Sequence, residues 1–174
     1  MKTKPILDPC CGSKMFYMDR NDDRVDFCDI RELNTTLCDG RKLVIDPDYV
    51  TDVTHLPQED ETYYLVVFDP PHLNTIGETS WMCKKYGRLP QNWKEFMHKA
   101  FSECWRVLKP NGTLIFKWND SDIPLSEVLK CTDLKPLLAN KRPKQTKTHW
   151  IVFFKEEKSE EKGNETKKNT SRNI

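Results

Sequence analysis

The sequence predicts an α/β fold with a mostly parallel sheet and one antiparallel strand. Short apolar runs alternate with helical spacing along the chain, and this alternation is typical of parallel sheets. The run 63–68 is continuous, β-branched and aromatic, as expected for a strand buried on both faces. Near the end of the chain, the runs 134–139 and 149–154 flank a basic turn and predict a closing antiparallel hairpin.

The remaining elements follow from local patterns. Asp39-Gly40 is a strong turn signal between apolar runs, so 36–45 predicts a hairpin where an alternating fold ordinarily carries a helix. Apolar residues at helical spacing predict a helix over 93–108, which 109–112 ends. The segment from 73 through Gly87 has no clear periodicity and is predicted as a loop. The other predicted elements are strands at 5–7, 24–29, 48–52 and 113–118, a helix over 14–20 capped by Ser13, and a short helix over 125–130.

Composition limits the class of protein. The chain has 174 residues, of which 37% are hydrophobic and 32% charged, and this is enough for one domain with a core. We expect that domain to span 1–155 and the lysine- and glutamate-rich segment 156–174 to be a disordered charged tail. The net charge is +1, so any contact with nucleic acid has to come from local basic patches. No run spans a bilayer and no signal-type segment follows Met1, which predicts a soluble, cytoplasmic protein.

The cysteines indicate neither a metal site nor a disulfide framework. There are seven, an odd number, and no two are spaced as C-x-x-C. Cys10 and Cys11 are adjacent and the others are widely scattered. We therefore expect reduced thiols that pack as small apolar side chains, and no bound metal.

Acidic residues stand at the ends of four predicted strands. Asp8, Asp29, Asp52 and Asp69 each follow an apolar run, and parallel sheets bind ligands beyond the carboxyl ends of their strands. Such a rim could hold a cationic or hydroxyl-rich ligand, for example an adenosine ribose joined to a sulfonium-bearing amino acid. The small turn 10–13 would let the backbone approach that ligand closely, although Gly12 alone is equally compatible with an ordinary tight turn.

The segment Asp69-Pro70-Pro71-His72 is more specific. Two successive prolines remove two N–H donors and fix φ, which leaves the Asp69 carboxylate and the Pro70 carbonyl as rigid acceptors. A primary amine on a base offers two N–H donors to them, and its lone pair then points elsewhere, as in-line methyl transfer requires. An ordinary stiff turn is the alternative interpretation.

These motifs resemble class I S-adenosylmethionine-dependent methyltransferases, specifically the amino-methyltransferases with an Asp-Pro-Pro-aromatic signature. The resemblance covers Pro5 to about Lys155, and the pattern is similar to small phage-type methyltransferases, including the segments 81–86 and 148–153. It implies a Rossmann-like class I methyltransferase fold with a seven-stranded sheet in the order 3-2-1-4-5-7-6 and helices on both faces. It also implies S-adenosyl-L-methionine as cofactor. Lys14 replaces a second glycine of the first motif, and His72 replaces the usual aromatic of the signature.

The resemblance assigns roles to individual residues. Asp29 stands at the ribose-binding position and Asp52 at the position that contacts the adenine amine. The cofactor-binding residues it implies are Asp8, Pro9, Cys10, Cys11, Gly12, Asp29, Ile30, Asp52, Val53 and Asp69. The catalytic residues it implies are Asp69, Pro70, Pro71 and His72.

The acceptor is predicted less narrowly. Trp81, Lys84, Lys85 and Tyr86 are candidate substrate-binding residues, because a base outside the helical stack needs apolar neighbours and phosphates need cations. Trp81 could instead pack in the core. The leading hypothesis is methylation of adenine N6 or cytosine N4 in DNA; the alternatives are RNA or protein-amide N-methylation and cofactor binding without turnover. The basic hairpin turn, either a second phosphate contact or a solvated edge, contains Lys141, Arg142, Lys144 and Lys147.

Overall fold

A seven-stranded sheet forms the centre of the protein, whose computed structural model describes residues 4–140 and 146–157. A separate two-stranded sheet stands beside it. In chain order the elements are β1 (Ile6–Asp8), β2 (Val25–Asp29), β3 (Leu33–Thr36), β4 (Lys42–Ile45), β5 (Tyr49–Val50), β6 (Tyr63–Phe68), α1 (Trp81–Tyr86), α2 (Trp93–Arg106), β7 (Leu108–Asn119), α3 (Leu125–Val128) with a 3₁₀ turn (Leu129–Cys131), β8 (Leu138–Ala139) and β9 (Thr148–Phe154).

The strand order confirms the predicted topology. The large sheet runs β5-β2-β1-β6-β7-β9-β8, which is the predicted 3-2-1-4-5-7-6 once the hairpin β3–β4 is set aside. The pairs β1–β2, β1–β6, β2–β5 and β6–β7 are parallel, whereas β9 is antiparallel to both β7 and β8. The sheet is therefore mostly parallel with one antiparallel strand, and its parallel strands bring their carboxyl ends to one edge.

Helix α2 forms the core on one face of the sheet. Its apolar stripe buries Met97, Ala100, Phe101 and Cys104, as the helical spacing predicts. The ring of Phe101 lies 5.4 Å from that of Phe68 on β6 and 4.9 Å from that of Phe116 on β7. Aromatic pairs at these distances stabilise packing beyond their buried area.

The predicted helix over 14–20 is wrong, because the chain forms turns there. Lys14 has φ 54°, a left-handed conformation that a right-handed helix cannot contain. The turns place two aromatic rings against the face of the sheet opposite α2: Tyr17 contacts Phe27 at 4.8 Å and Phe16 contacts Trp150 at 5.6 Å. Loop side chains thus cover the position where the helix was expected.

Several elements also differ from the prediction, among them the first strand of the closing hairpin, which was predicted over 134–139 and comprises only Leu138–Ala139. The segment after the signature, predicted as a loop, contains α1. Ser80 caps the start of this helix, where its Oγ accepts from Met82 N at 3.2 Å, and Gly87 caps its end. The helix was not predicted because six residues are too few to show a helical period. Strand β7 begins at Leu108, which pairs with Tyr63 before the register shifts. The hairpin predicted over 36–45 is confirmed as β3 and β4. Its first strand is displaced to Leu33–Thr36, and the connection around Asp39-Gly40 is longer than predicted.

Some predictions fall outside the described residues. They include Lys141, Arg142 and Lys144 in the basic turn, and the tail from 158 onward, so the division at 155 stays a prediction. All seven cysteines are free thiols, and Cys11, Cys28, Cys104 and Cys131 are buried. Among the residues that the structure describes, no helix has the length and apolar character needed to cross a membrane.

Lys14 provides a test of this loop. A side chain in the left-handed region costs about 1–2 kcal/mol, and a glycine avoids that cost. We expect Lys14→Gly to be about 1 kcal/mol more stable than Lys14→Ala in urea unfolding. At most positions the order is the opposite, because glycine gives a less stable folded protein than alanine does. Both variants lose the contact of the Lys14 ammonium with the Phe27 ring, 4.3 Å from its centroid. Equal stability, or a more stable alanine variant, would contradict the loop conformation.

Candidate active site

A cavity of about 350 Å³ opens at the carboxyl ends of β1, β2, β5 and β6. Its volume lies within the range of small-molecule sites, and its place is where open parallel sheets bind ligands. Fourteen of the predicted site residues line it: Pro9, Cys10, Cys11, Gly12, Asp29, Ile30, Asp52, Val53, Asp69, Pro70, Pro71, His72, Lys85 and Tyr86.

The turn after β1 is tied to the end of β2. Gly12 has φ 50°, and its N–H donates to Asp29 Oδ2 at 2.9 Å. A Cβ built on Gly12 would meet no atom within 4 Å, so the backbone here borders open space. The other Asp29 oxygen accepts from the backbone N and the Nε of Arg31, at 2.9 and 3.1 Å. These bonds hold a buried carboxylate at the floor of the cavity.

The turn after β5 positions the second carboxylate. Asp52 Oδ1 accepts from the backbone N and the hydroxyl of Thr54, both at 2.8 Å. This local turn presents Asp52 and the buried Val53 to the cavity across from Gly12.

Asp69 directly follows β6 and contacts a residue that the sequence analysis did not single out. Its Oδ2 lies 2.6 Å from Nζ of Lys117 on β7. Phe68 and Phe116 are paired in the sheet, so the next residue on each strand reaches the same place. Burial raises the pKa of the Asp69 carboxyl, while the Lys117 ammonium acts in the opposite direction.

A signal for Lys117 was present in the sequence. Leu114, Phe116 and Trp118 alternate along β7 and are fully buried, so Lys117 has to face the other side of the sheet. It is the one charged residue within the predicted strand 113–118, and a charge in a central strand needs a partner. The partner could not be named before the register of β6 and β7 was known.

His72 presents an uncharged ring to the cavity. Burial is the main cause of a pKa below the ordinary value, so the imidazole is neutral at pH 7. Its ring lies 6.0 Å from that of Tyr86 and 6.4 Å from that of the buried Trp118. The ring is therefore held among aromatic side chains.

Asp8 lies beneath the cavity instead of on its rim. It is fully buried, Oδ1 accepts from Cys10 N at 3.1 Å, and the Tyr17 hydroxyl is the other polar group that faces this carboxyl. Burial raises the pKa of Asp8 to about 8, so the carboxyl is mostly protonated at pH 7. Of the four acidic residues predicted on the rim, Asp29, Asp52 and Asp69 line the cavity, and basic residues share it. The basic residues that line the cavity are Arg31, Lys85, Arg88 and Lys117.

Two candidate substrate residues do not line the cavity. Trp81 is 39% exposed, which excludes the alternative that it packs in the core, and its ring lies 5.9 Å from the Arg41 guanidinium. Lys84 contributes a backbone carbonyl, which accepts from Arg31 Nη1 at 3.1 Å. Lys85 and Tyr86, at the end of the same helix, do reach the cavity.

Further lining residues that the sequence analysis did not predict are Ser13, Met15, Phe16, Thr51, Pro90 and Phe96.

The buried carboxyl of Asp8 gives a prediction about pH. An unfolded aspartate has a pKa near 4, so between about pH 4 and 8 the folded protein holds one proton more than the unfolded chain. This contribution to stability is fully present below pH 4 and is lost as the pH rises through 8. As the pH rises from about 4 to 8, the free energy of unfolding of the wild type should fall relative to that of Asp8→Asn. The fall should be up to about 1.4 kcal/mol per pH unit.

The measurement is urea unfolding of both proteins at pH 5, 6.5 and 8. Groups other than Asp8 titrate in both, so their effects cancel in the difference. A difference that does not change with pH would show that Asp8 is ionised in the folded protein.

Comparison with known proteins gives the fold. No model of a protein family matches the chain, and no curated protein matches it in sequence. Among solved structures, the PH0226 protein of Pyrococcus horikoshii aligns over 87% of this chain and 81% of its own, with TM-score 0.53 and 16% identity. A TehB-like SAM-dependent methyltransferase of Corynebacterium glutamicum aligns over 90% and 82%, with TM-score 0.53 and 15% identity.

A third structure agrees with these two. A SAM-dependent methyltransferase of Leishmania major aligns over 86% of this chain and 63% of its own, with TM-score 0.51 and 14% identity. At such identities the likeness concerns the fold, which is the Rossmann-like methyltransferase fold with its single antiparallel strand.

Proposed function

We propose that this protein is an S-adenosylmethionine-dependent N-methyltransferase whose acceptor is an exocyclic base amine, adenine N6 or cytosine N4, in DNA. One observation carries the proposal. The turn at Gly12 with Asp29, the turn at Asp52, and Asp69-Pro70-Pro71-His72 line the same cavity at the carboxyl edge of the sheet. A cofactor subsite and an amine subsite are thereby adjacent. The likeness to small phage-type enzymes of the Asp-Pro-Pro class is part of this proposal.

The lining of the cavity fits the cofactor. Asp29 offers fixed carboxylate oxygens for ribose hydroxyls, and Asp52 offers a carboxylate for an adenine amine. The backbone at Gly12 borders open space, so a ligand can approach it without meeting a side chain. The two methyltransferases with similar folds are described by their names as SAM-dependent. When bound, S-adenosylmethionine supplies an activated methyl group.

Asp69 and Pro70 orient the acceptor nitrogen. Lys117 already occupies Asp69 Oδ2, so one N–H of the amine donates to the remaining oxygen of this carboxylate. The second N–H donates to the Pro70 carbonyl, which the rigid proline pair fixes. With both hydrogens held, the nitrogen lone pair points away from these acceptors, as attack on a methyl carbon requires.

His72 and Tyr86 provide the surface for the base. A neutral, half-buried imidazole stacks on an aromatic base without adding charge near a developing cation. Both residues line the cavity. A base in duplex DNA has to leave the stack to reach such a place, and aromatic contacts compensate for the lost stacking.

DNA is the proposed acceptor because basic side chains line the cavity together with the aromatic ones. Lys85 and Arg88 are among the lining residues, and the Lys85 ammonium lies 4.9 Å from the centroid of the Tyr86 ring, so cations are available to phosphates of an acceptor strand. A nucleic-acid substrate and seven free thiols also suit a reducing, cytoplasmic location.

Transfer of labelled methyl into duplex DNA, single-stranded DNA, RNA and protein, followed by nucleoside mass spectrometry, tests the proposal. We expect N6-methyladenine or N4-methylcytosine in DNA. Asp69→Ala should lower kcat at least about 100-fold, since the carboxylate that orients the acceptor is lost. Asp133→Ala, an exposed carboxylate outside the cavity, is the matched control and should keep full activity.

Other outcomes would replace the proposal. Label in RNA or protein alone would assign a different acceptor. Cofactor binding with no transfer to any acceptor would indicate a binding protein without turnover. Full activity of Asp69→Ala would remove this carboxylate from the mechanism.

A further inference from the structure

We propose that α1 and the β3–β4 hairpin together form the surface that holds the backbone of the substrate's DNA strand next to the cavity. This α1–hairpin surface comprises residues 31–45 and 78–88. The proposal rests on the proposed function, because it names where the same acceptor binds outside the catalytic cavity.

Helix α1 depends on the hairpin for its position. It has six residues and buries none of its side chains, and a helix this short is not stable alone in water. Arg31, before β3, donates to the carbonyl of Lys84 at 3.1 Å, and Arg41, before β4, lies over the Trp81 ring at 5.9 Å. Two arginines of the hairpin therefore contact the first residue and the last turn of the helix.

The hairpin leaves one face open to solvent. Its sheet is separate from the large one, and its inward side packs Leu37, Leu43 and Ile45 into a small cluster of its own. The outward side pairs Asn34 with Val44 and Thr36 with Lys42. These four residues are exposed, and three of them can hydrogen-bond or pair with a phosphate. A polar face of this kind does not serve packing within the chain.

The surface concentrates positive charge in a nearly neutral protein. Residues 31–45 and 78–88 contain six basic and three acidic side chains, whereas the rest of the chain contains 22 basic and 24 acidic ones. Lys85 and Arg88 line the cavity, while Arg41, Lys42 and Lys84 belong to the same surface outside it. Cations both at the cavity and beside it match a polyanion whose reactive group enters the cavity.

Trp81 adds an aromatic contact to these cations. Its indole is 39% exposed at the first residue of α1, on the surface and outside the cavity. Exposed aromatic rings among basic side chains are the means by which proteins stack on unpaired bases next to a bound backbone. We therefore expect Trp81 to contact a base neighbouring the target.

The test is fluorescence anisotropy of labelled single-stranded and duplex DNA oligonucleotides at a series of salt concentrations, without methyl donor. The double variant Arg41→Gln/Lys84→Gln should bind more weakly, and its slope of log affinity against log salt should be about 1–2 smaller in magnitude. Lys84→Gln alone keeps the backbone carbonyl that Arg31 uses, so α1 stays in place and the slope should still fall by about 1.

The matched control is Lys99→Gln/Lys130→Gln. These lysines are about as exposed as Arg41 and, like it, each is paired with a carboxylate, but they lie outside the proposed surface. This control should retain the wild-type slope. The same slope in all four proteins would overturn the proposal, and so would equally tight, equally salt-dependent binding of polyglutamate.

The outcome is separable from that of the methylation assay. If wild-type protein methylates DNA while the Arg41→Gln/Lys84→Gln variant does so with an unchanged KM, the surface is wrong and the proposed function stands. If the variants weaken DNA binding as expected while the wild type methylates nothing, the surface stands and the proposed function is wrong.

Discussion

The ion pair between Asp69 and Lys117 joins the carboxyl ends of the two central strands of the sheet. Burial alone would favour the protonated carboxyl, which could accept fewer hydrogen bonds from an amine. The ammonium 2.6 Å away favours the carboxylate and fixes one of its oxygens. Lys117 can act in this way because β6 and β7 are paired in register, and because its ammonium packs near the rings of Phe16 and Trp150, 5.5 and 5.8 Å from their centroids. In the proposed mechanism, the orientation of the acceptor thus depends on the pairing of these two strands.

The rest of the rim is arranged around this fixed point by short turns. Gly12 and Lys14 both take left-handed conformations, and this lets the chain after β1 cross the floor of the cavity to reach Asp29. On the opposite side, Gly87 ends α1 at φ 75°, where a Cβ would lie 3.1 Å from Pro71. The helix can approach the signature this closely only because that position has no side chain. The two parts of the cavity that the proposal assigns to cofactor and acceptor are therefore both bordered by backbone conformations that favour glycine.

Much of the fold was predictable from the sequence, since its signals are local. The run 63–68, the stripe of α2 and the Asp39-Gly40 turn each specify their element through periodicity or turn chemistry. The predicted residues of the first motif and the signature also converge on one cavity. Lys117 was missed because its role depends on a partner 48 residues away. The burial of Asp8, the left-handed Lys14 and the six-residue α1 were missed for a related reason: tertiary contacts override weak local preferences.

The pH dependence of methyl transfer in the wild type and in Lys117→Met tests most directly whether an ionised Asp69 orients the acceptor. Removing the ammonium removes the influence that lowers the pKa of Asp69, so the pH below which kcat/KM is lost should move upward. Lys117→Arg should restore the wild-type profile, because a cation again faces the carboxylate. The measurement is kcat/KM from pH 4 to 9 on one DNA substrate. If kcat/KM is lost below the same pH in the wild type and in Lys117→Met, the account is contradicted, because the ionisation of Asp69 would then not control the reaction.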